Sequence, residues 1–219
     1  MLFRSSFAGG AGFAALWLLL VPASYGDEWV ASGSAKFGVL AALAFLLLVG
    51  TVLTKNTLTF DEAAFIVLAV LYVGVGFFCF GAVRLAGLSY LIYALFVIWA
   101  TDIGAYFFGR AFGRRKLWPE ISPNKTIEGA IGGIGSAVAI AAVYEWTAGL
   151  FDSLGAAIGL ALLLSMFGQL GDLVESAFKR HYGVKDSGAI LPGHGGILDR
   201  FDSLLFVLPL LYIFIEVVR

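Results

Sequence analysis

Three aspartates in the second half of this 219-residue chain have the type and spacing to bind a divalent cation. Asp199 and Asp202 are one helical turn apart at the start of an apolar stretch, so their carboxylates can lie on one side of a helix. Asp172 lies in the preceding apolar stretch, where a charged side chain is costly and is a candidate for function. Carboxylate oxygens are hard ligands that suit Mg²⁺ better than zinc. The sequence therefore predicts a Mg²⁺ site formed by Asp172, Asp199 and Asp202.

Basic side chains alternate with these aspartates along the chain. They are Lys179, Arg180, Lys185 and Arg200. Cations among metal-binding carboxylates are typical of a site for a polyphosphate carried on Mg²⁺. The alternative is a solvated basic loop that contacts anionic lipid headgroups.

The residues that follow Asp172 predict a polar face on a helix. Glu175, Ser176 and Lys179 follow it at i+3, i+4 and i+7 and therefore share its face. The alternative for Asp172 is a carboxylate that pairs with a nearby arginine or extends to the membrane interface.

Further along the chain, His194 lies among glycines that permit close backbone approach, so we assign it to substrate or phosphate contact.

Asp102 is a second charged residue inside an apolar stretch and is a functional candidate for the same reason. Pairing with Arg110, two helical turns later, is the alternative.

A further basic segment begins the next apolar stretch, where Lys125 and Thr126 would add a charge and a hydroxyl to a helix N-terminus that favours anions.

Four glycines occur in that same stretch, and they are Gly129, Gly132, Gly133 and Gly135. They favour a face of small residues against which another helix packs closely. A phosphate-binding glycine loop is the alternative, but the third glycine of a dinucleotide fingerprint is missing and no strand is predicted before it.

The composition indicates the elements that must position these residues. Hydrophobic residues make up 60% of the chain and charged residues 13%, which excludes an ordinary soluble domain and a disordered chain. We predict an all-α polytopic integral membrane protein, a single domain over 1–219 in which 1–90 are N-terminal spans and 91–219 the catalytic portion. About seven transmembrane helices are expected. They are Phe7–Ala23, Phe37–Leu53, Ala63–Val83, Leu88–Phe108, Ile127–Thr147, Leu154–Val174 and Phe201–Val218.

The first stretch is short and follows Arg4, so a cleaved signal peptide competes with a retained anchor. A retained anchor is favoured because no long soluble domain follows. The single Cys79 excludes an intrachain disulfide.

Two charged loops, 109–126 and 175–200, indicate the orientation of the chain. If both are cytoplasmic, eleven of the fourteen Lys and Arg residues lie on the cytoplasmic side, as the positive-inside rule requires. The active site is therefore expected to face the cytoplasm, with the N-terminus inside and the C-terminus outside.

The segment from Ser176 to Asp202 resembles the C-terminal pattern of the CDP-diacylglycerol synthases, also called phosphatidate cytidylyltransferases. It reads Ser-x-x-Lys-Arg, four residues, Lys-Asp, and then Pro-x-His-Gly-Gly-x-x-Asp-Arg-x-Asp. The stretches 122–129 and 102–110 are also similar to the family. The resemblance covers roughly residues 99–207, and before that only the hydropathy is similar.

The resemblance implies that CTP and phosphatidic acid are condensed to CDP-diacylglycerol and pyrophosphate in phospholipid biosynthesis. It also implies a Mg²⁺ cofactor with a second cation such as K⁺, a multi-pass location in a bacterial cytoplasmic membrane, and a homodimer without a nucleic-acid partner. The catalytic residues would be Asp172, Asp199, Lys179 and Arg200. The substrate-binding residues would be Asn124, Lys125, Ser176, Arg180, Lys185, Asp186 and His194.

Within these sets, the resemblance implies a division of roles. Lys125, Lys179, Arg180 and Lys185 would contact CTP phosphates or pyrophosphate, Arg200 and His194 would contact phosphatidate, and Ser176, Asn124 and Asp186 would orient them. Two other functions remain open. One is a CTP-dependent polyprenol or lipid-alcohol kinase, and the other is an ion-coupled transporter with Asp102 and Asp172 on its ion path.

Overall fold

The computed structural model describes residues 6–20, 33–188 and 195–218. Over these residues the chain forms α-helices and one short β-hairpin. In chain order the elements are α1 (Ser6–Leu20), α2 (Gly33–Leu53), α3 (Phe60–Ala86), α4 (Leu88–Phe112), β1 (Lys116–Trp118), β2 (Ser122–Thr126), α5 (Ile127–Ala148), α6 (Leu154–His181) and α7 (Leu198–Val218). Each apolar stretch expected from the sequence coincides with one of these helices. The all-α class is therefore confirmed.

Five of the described helices, α2 to α6, are long and apolar enough to cross a membrane, and α1 is a shorter apolar helix. Large apolar side chains on them are exposed, as on a lipid-facing surface; Trp146, near the end of α5, is 88% exposed. The chain is thus a multi-pass membrane protein by the length and composition of its helices.

The chain divides into two compact units, Met1–Gly81 and Ala82–Arg219. In the first unit, α1 and α2 pack together, and Leu47 and Leu58 are almost completely buried in its apolar cluster. The second unit contains every candidate site residue that the structure describes.

Close packing of α4 against α5 depends on glycine. A Cβ atom at Gly129 would lie 2.7 Å from the carbonyl oxygen of Ala105, and one at Gly133 would lie 2.7 Å from that of Thr101. These approaches are shorter than a side chain allows, so the predicted role of the glycine face in packing is confirmed. Gly135 is an exception, because a Cβ atom there would have nothing within 4 Å.

The α6–α7 contact also depends on glycine, and it sets the register of the candidate site. A Cβ atom at Gly171 would lie 2.9 Å from the carbonyl oxygen of Asp202 and 2.8 Å from the Cβ atom of Phe206. Glycine at this position therefore lets the first turns of α7 lie directly against the turn of α6 that carries Asp172.

The segment 109–126, expected as a charged loop, is more regular than the sequence indicated. Helix α4 continues to Phe112, and β1 and β2 pair antiparallel, with Lys116 opposite Thr126 and Trp118 opposite Ser122. The expectation that no strand precedes the glycines of α5 was wrong, since β2 leads directly into that helix. The chain pairs here because residues 119–121 form a tight turn that brings the two extended segments together.

Candidate active site

The described candidate site residues lie on α4, on the hairpin, on the last turns of α6, in the loop that follows α6 and on the first turns of α7. Their charges form two groups. We call Lys125, Asp172, Asp102 and Asp202 the Lys125 cluster, and Lys179, Glu175 and Asp199 the Lys179 cluster.

The Lys125 cluster is organised around an ion pair between the end of β2 and α6. Lys125 Nζ lies 2.5 Å from Asp172 Oδ2, and the two side chains are 27% and 33% exposed. The other oxygen, Asp172 Oδ1, accepts a hydrogen bond from Ser176 Oγ at 3.3 Å. The structure therefore brings together residues from two segments that the sequence selected separately, and it leaves them partly accessible.

Asp102 belongs to this cluster and not to a pair with Arg110. Its charge interacts with those of Asp172 and Lys125. Arg110 Nη1 instead donates a hydrogen bond to the hydroxyl of Tyr106 at 3.2 Å. The position of Asp102 is consistent with a functional candidate, because its carboxylate adds to the acidic groups beside Lys125.

Asp202 reaches the same cluster from α7. Its charge interacts with those of Asp172 and Lys125, as the close approach at Gly171 would require. Asp202 Oδ1 accepts a hydrogen bond from the backbone N–H of Ser203 at 2.6 Å. Asp172 and Asp202 therefore present carboxylates from neighbouring helices to one region.

The Lys179 cluster is more deeply buried. Lys179 Nζ forms an ion pair with Glu175, one turn earlier on α6, and with Asp199 Oδ1 at 2.8 Å. The side chains of Glu175, Asp199 and Lys179 are 2%, 8% and 20% exposed. Two carboxylates thus share one ammonium group in a largely desolvated setting.

Asp199 also holds the loop that precedes α7. Its Oδ2 atom accepts hydrogen bonds from Ser187 N at 2.8 Å, Ser187 Oγ at 2.7 Å and Gly196 N at 2.8 Å. Gly195, with φ of +82°, has a left-handed backbone conformation in which a Cβ atom would lie 2.8 Å from the same oxygen. Glycine is therefore required at this turn, and both oxygens of Asp199 are engaged by protein donors.

The other predicted binding residues surround the two clusters. Arg180 Nε donates a hydrogen bond to the carbonyl of Ile121 at 3.3 Å and so joins α6 to the hairpin. Several more side chains are exposed, and these are Asn124, Lys185, Asp186 and Arg200. His194 lies outside the described residues.

The donor set is consistent with Mg²⁺, although the described residues contain no group of three or more His, Cys, Asp or Glu side chains placed to hold a metal ion. Mg²⁺ is usually bound through one or two protein carboxylates, with water and substrate phosphate oxygens completing its shell. Asp172 and Asp202 can supply such a pair. Asp172 and Asp199 each accept from protein donors through both carboxylate oxygens, so the site of Asp172, Asp199 and Asp202 stays a prediction.

Thr126 has a role other than the one expected for its hydroxyl. Thr126 Oγ1 accepts a hydrogen bond from Gly129 N at 3.1 Å and caps the N-terminus of α5.

The burial of Glu175 was missed, because sequence reasoning placed this residue only on a polar face of the helix. The i,i+4 spacing of Glu175 and Lys179 was the available signal.

Comparisons with a family model and with curated proteins show the family to which the chain belongs. The chain matches the model of the cytidylyltransferase family over residues 3–218. It is 54% identical over 210 residues to a phosphatidate cytidylyltransferase of Bacillus subtilis (strain 168), covering 94% of this chain and 78% of that protein. It is 54% identical over 199 residues to the phosphatidate cytidylyltransferase of Staphylococcus haemolyticus (strain JCSC1435), covering 91% of this chain and 75% of that one.

A third relative is the phosphatidate cytidylyltransferase of Staphylococcus aureus (strain COL), 51% identical over 198 residues, which cover 90% of this chain and 75% of that protein. The family match covers nearly the whole chain, and the relatives are similar far beyond the motif segments. The chain therefore belongs to the cytidylyltransferase family.

Proposed function

We infer that this protein is a phosphatidate cytidylyltransferase, a membrane-embedded nucleotidyltransferase of phospholipid biosynthesis. It condenses CTP with phosphatidic acid to CDP-diacylglycerol and pyrophosphate. The observation that carries the inference is the agreement of relatives of that name over 90–94% of the chain. The geometry of the site supports it, because cations and carboxylates from four elements, α4, β2, α6 and α7, lie close together, as binding of a polyphosphate beside a lipid phosphate would require.

The reaction requires two anions to approach each other. An oxygen of the phosphatidate phosphate attacks the α-phosphorus of CTP, and the bond from that phosphorus to the bridging oxygen of the leaving pyrophosphate breaks. The acceptor is already an anion at neutral pH, so the reaction needs positioning and charge neutralisation more than a general base. The basic residues of the site match this need.

We assign the nucleotide phosphates to the cations nearest the two clusters. Lys125 and Lys179 would bind them from β2 and α6, and Arg180 and Lys185 would bind the leaving pyrophosphate. Ser176, Asn124 and Asp186 would orient these groups. Arg200 and His194 are assigned to the phosphatidate phosphate.

Asp172, Asp199 and Asp202 are the proposed residues for Mg²⁺, with a second cation such as K⁺. A bound Mg²⁺ would neutralise phosphate charge at the reacting centre. Among the described residues, Lys125 and Lys179 neutralise Asp172 and Asp199. Lys125 would turn to a substrate phosphate if Asp172 held the metal, whereas Lys179 would reach the nucleotide with the N–H donor that its two carboxylate partners leave.

The site is proposed to face the cytoplasm of a bacterial membrane, and the chain to form a homodimer. The distribution of charge supports the orientation, because eleven of the fourteen Lys and Arg residues then lie on the cytoplasmic side. A cytoplasmic site would receive CTP from water and phosphatidate from the adjacent leaflet.

Purified protein in detergent tests the function directly. With Mg²⁺, CTP and phosphatidate, it should release pyrophosphate and form CDP-diacylglycerol in equal amounts. A CTP-dependent lipid kinase would instead leave CDP and transfer the γ-phosphate. A transporter would support ion flux in sealed vesicles without nucleotide turnover, and either result would refute the assignment.

A further inference from the structure

Glu175 is a buried carboxylate to which the mechanism above gives no role. Its side chain is 2% exposed, and one oxygen forms the ion pair with Lys179. The other oxygen, Oε1, is buried and has no hydrogen-bond partner in the described part of the chain. An unsatisfied buried carboxylate oxygen costs stability, so its presence here calls for a function other than stabilising the fold.

Lys179 is the group that Glu175 constrains. A lysine side chain is flexible, and fixing it in one position costs conformational entropy. Here the ammonium group is held from two helices, by Glu175 on α6 and by Asp199 on α7. Two of its three N–H donors are directed to these carboxylates, so within the described residues one donor is left for another partner. Because the side chain is still 20% exposed, a substrate oxygen can reach it.

We propose that Glu175 is a positioning residue that holds the Lys179 ammonium group against Asp199, so that the remaining N–H donor is presented to the nucleotide polyphosphate. The proposal rests on the function inferred above, with CTP as the substrate. Glu175 acts through Lys179 and does not itself contact the reacting atoms. Both anchors are needed, because a lysine held only by Asp199 can rotate about that single contact.

A kinetic double-mutant cycle tests the proposal. The proteins are wild type, Glu175→Gln, Lys179→Met and the double variant. Glu175→Gln should raise the KM for CTP about tenfold, as expected for coupled charged neighbours, and should change kcat less than about threefold. In the Lys179→Met background the same change should have no further effect on KM, because no ammonium group is left to position.

A matched control is available at the other end of α6. Asp152 is an exposed acid just before that helix, and Asp152→Asn removes one negative charge as Glu175→Gln does. Its KM for CTP and its kcat should equal those of the wild type. An effect of the same size in Asp152→Asn would show that Glu175→Gln acts through overall charge and would overturn the proposal.

Thermal unfolding in detergent, without substrate, gives a second measurement. Lys179→Met should lower Tm, because it leaves two buried carboxylates without their shared cation. Adding Glu175→Gln to that variant should raise Tm again, because one of the two charges is removed. Glu175→Gln alone should change Tm little, because Lys179 keeps Asp199 as its charged partner and the amide oxygen of Gln can still accept from the ammonium group.

An unchanged KM in Glu175→Gln, with or without a loss of kcat and Tm, would overturn the proposal. An equal KM effect in both lysine backgrounds would also overturn it. If the wild type releases no pyrophosphate, the proposed function fails instead. The Tm values of the same four proteins then still test whether Glu175 pairs with Lys179. If the two substitutions change Tm additively, Glu175 and Lys179 are not coupled.

Discussion

Lys125 at the end of β2 and Asp172 on α6 form an ion pair in which Nζ lies 2.5 Å from Oδ2. The pair joins the basic segment that precedes α5 to the turn of α6 that carries Asp172. Both side chains are about a quarter to a third exposed, so water and a charged substrate can compete for the contact. An ion pair of this kind contributes little to stability, about 0–1 kcal/mol. Its significance is therefore the position of the two charges.

Asp172→Asn should abolish turnover while leaving the fold intact. The substitution keeps the shape of the side chain and removes the charge that pairs with Lys125. Loss of a charge at the reacting centre should lower kcat by about 100-fold or more. Because the pair is partly exposed, Tm should fall by no more than about 4 °C. Pyrophosphate release and thermal unfolding of the same preparation measure both quantities, with Asp152→Asn as the control. Wild-type turnover in Asp172→Asn would contradict the assignment of Asp172.

Asp199→Asn should abolish turnover and also destabilise the protein. The structure shows that Asp199 accepts hydrogen bonds from Lys179, Ser187 and Gly196. In Asp199→Asn an amide NH2 group would replace one acceptor oxygen and would face groups that are themselves donors. The free energy of unfolding should therefore fall by about 1–3 kcal/mol. Thermal unfolding of Asp199→Asn beside Asp172→Asn measures the difference. Equal Tm values for the two variants would show that Asp199 does not hold the loop.

The sequence predicted the helices well because their signal is local. A long apolar run specifies a membrane helix whatever its neighbours are, since its backbone must be satisfied within the segment. The hairpin at β1 and β2 was missed for the opposite reason. Its strands are only three and five residues long, and β2 is polar, so neither a run of apolar alternation nor an Asn-Gly turn marks them.

The site was predicted as a set of residues but not as a set of contacts. Lys125 and Asp172 were both selected, yet their pairing depends on how β2 reaches α6, which no local pattern specifies. The i,i+4 spacing of Glu175 and Lys179 is compatible with their contact, but the sequence placed both residues only on a shared polar face. The burial of Glu175 could not be predicted, because it depends on α7 covering that face of α6.

Gly133→Ala should weaken the packing of α4 against α5, whereas Gly135→Ala should not. The new methyl group at Gly133 would lie 2.7 Å from the carbonyl of Thr101, but at Gly135 it would have nothing within 4 Å. Backbone atoms cannot move aside cheaply, so Gly133→Ala should cost about 1–3 kcal/mol, as overpacking does. Gly135→Ala should be neutral or stabilise the helix by up to about 1 kcal/mol. Thermal unfolding of the two variants compares the same chemical change at two positions of one helix. Equal Tm values would contradict the close approach of α4 and α5 at Gly133.

Removal of divalent cations should stop turnover without unfolding the protein. Asp172 and Asp199 are each paired with a lysine among the described residues, so the metal-free protein does not leave these charges uncompensated. A chelator should therefore lower pyrophosphate release by about 100-fold or more, as expected when a reacting centre loses its charge stabilisation, while Tm without substrate stays nearly unchanged. Excess Mg²⁺ should restore turnover, and Zn²⁺ should not, because the donors are carboxylate oxygens. Asp172→Asn should not be restored by either ion. Full turnover in the presence of the chelator would show that the carboxylates act without a metal, and the basic residues would then have to supply all of the charge neutralisation.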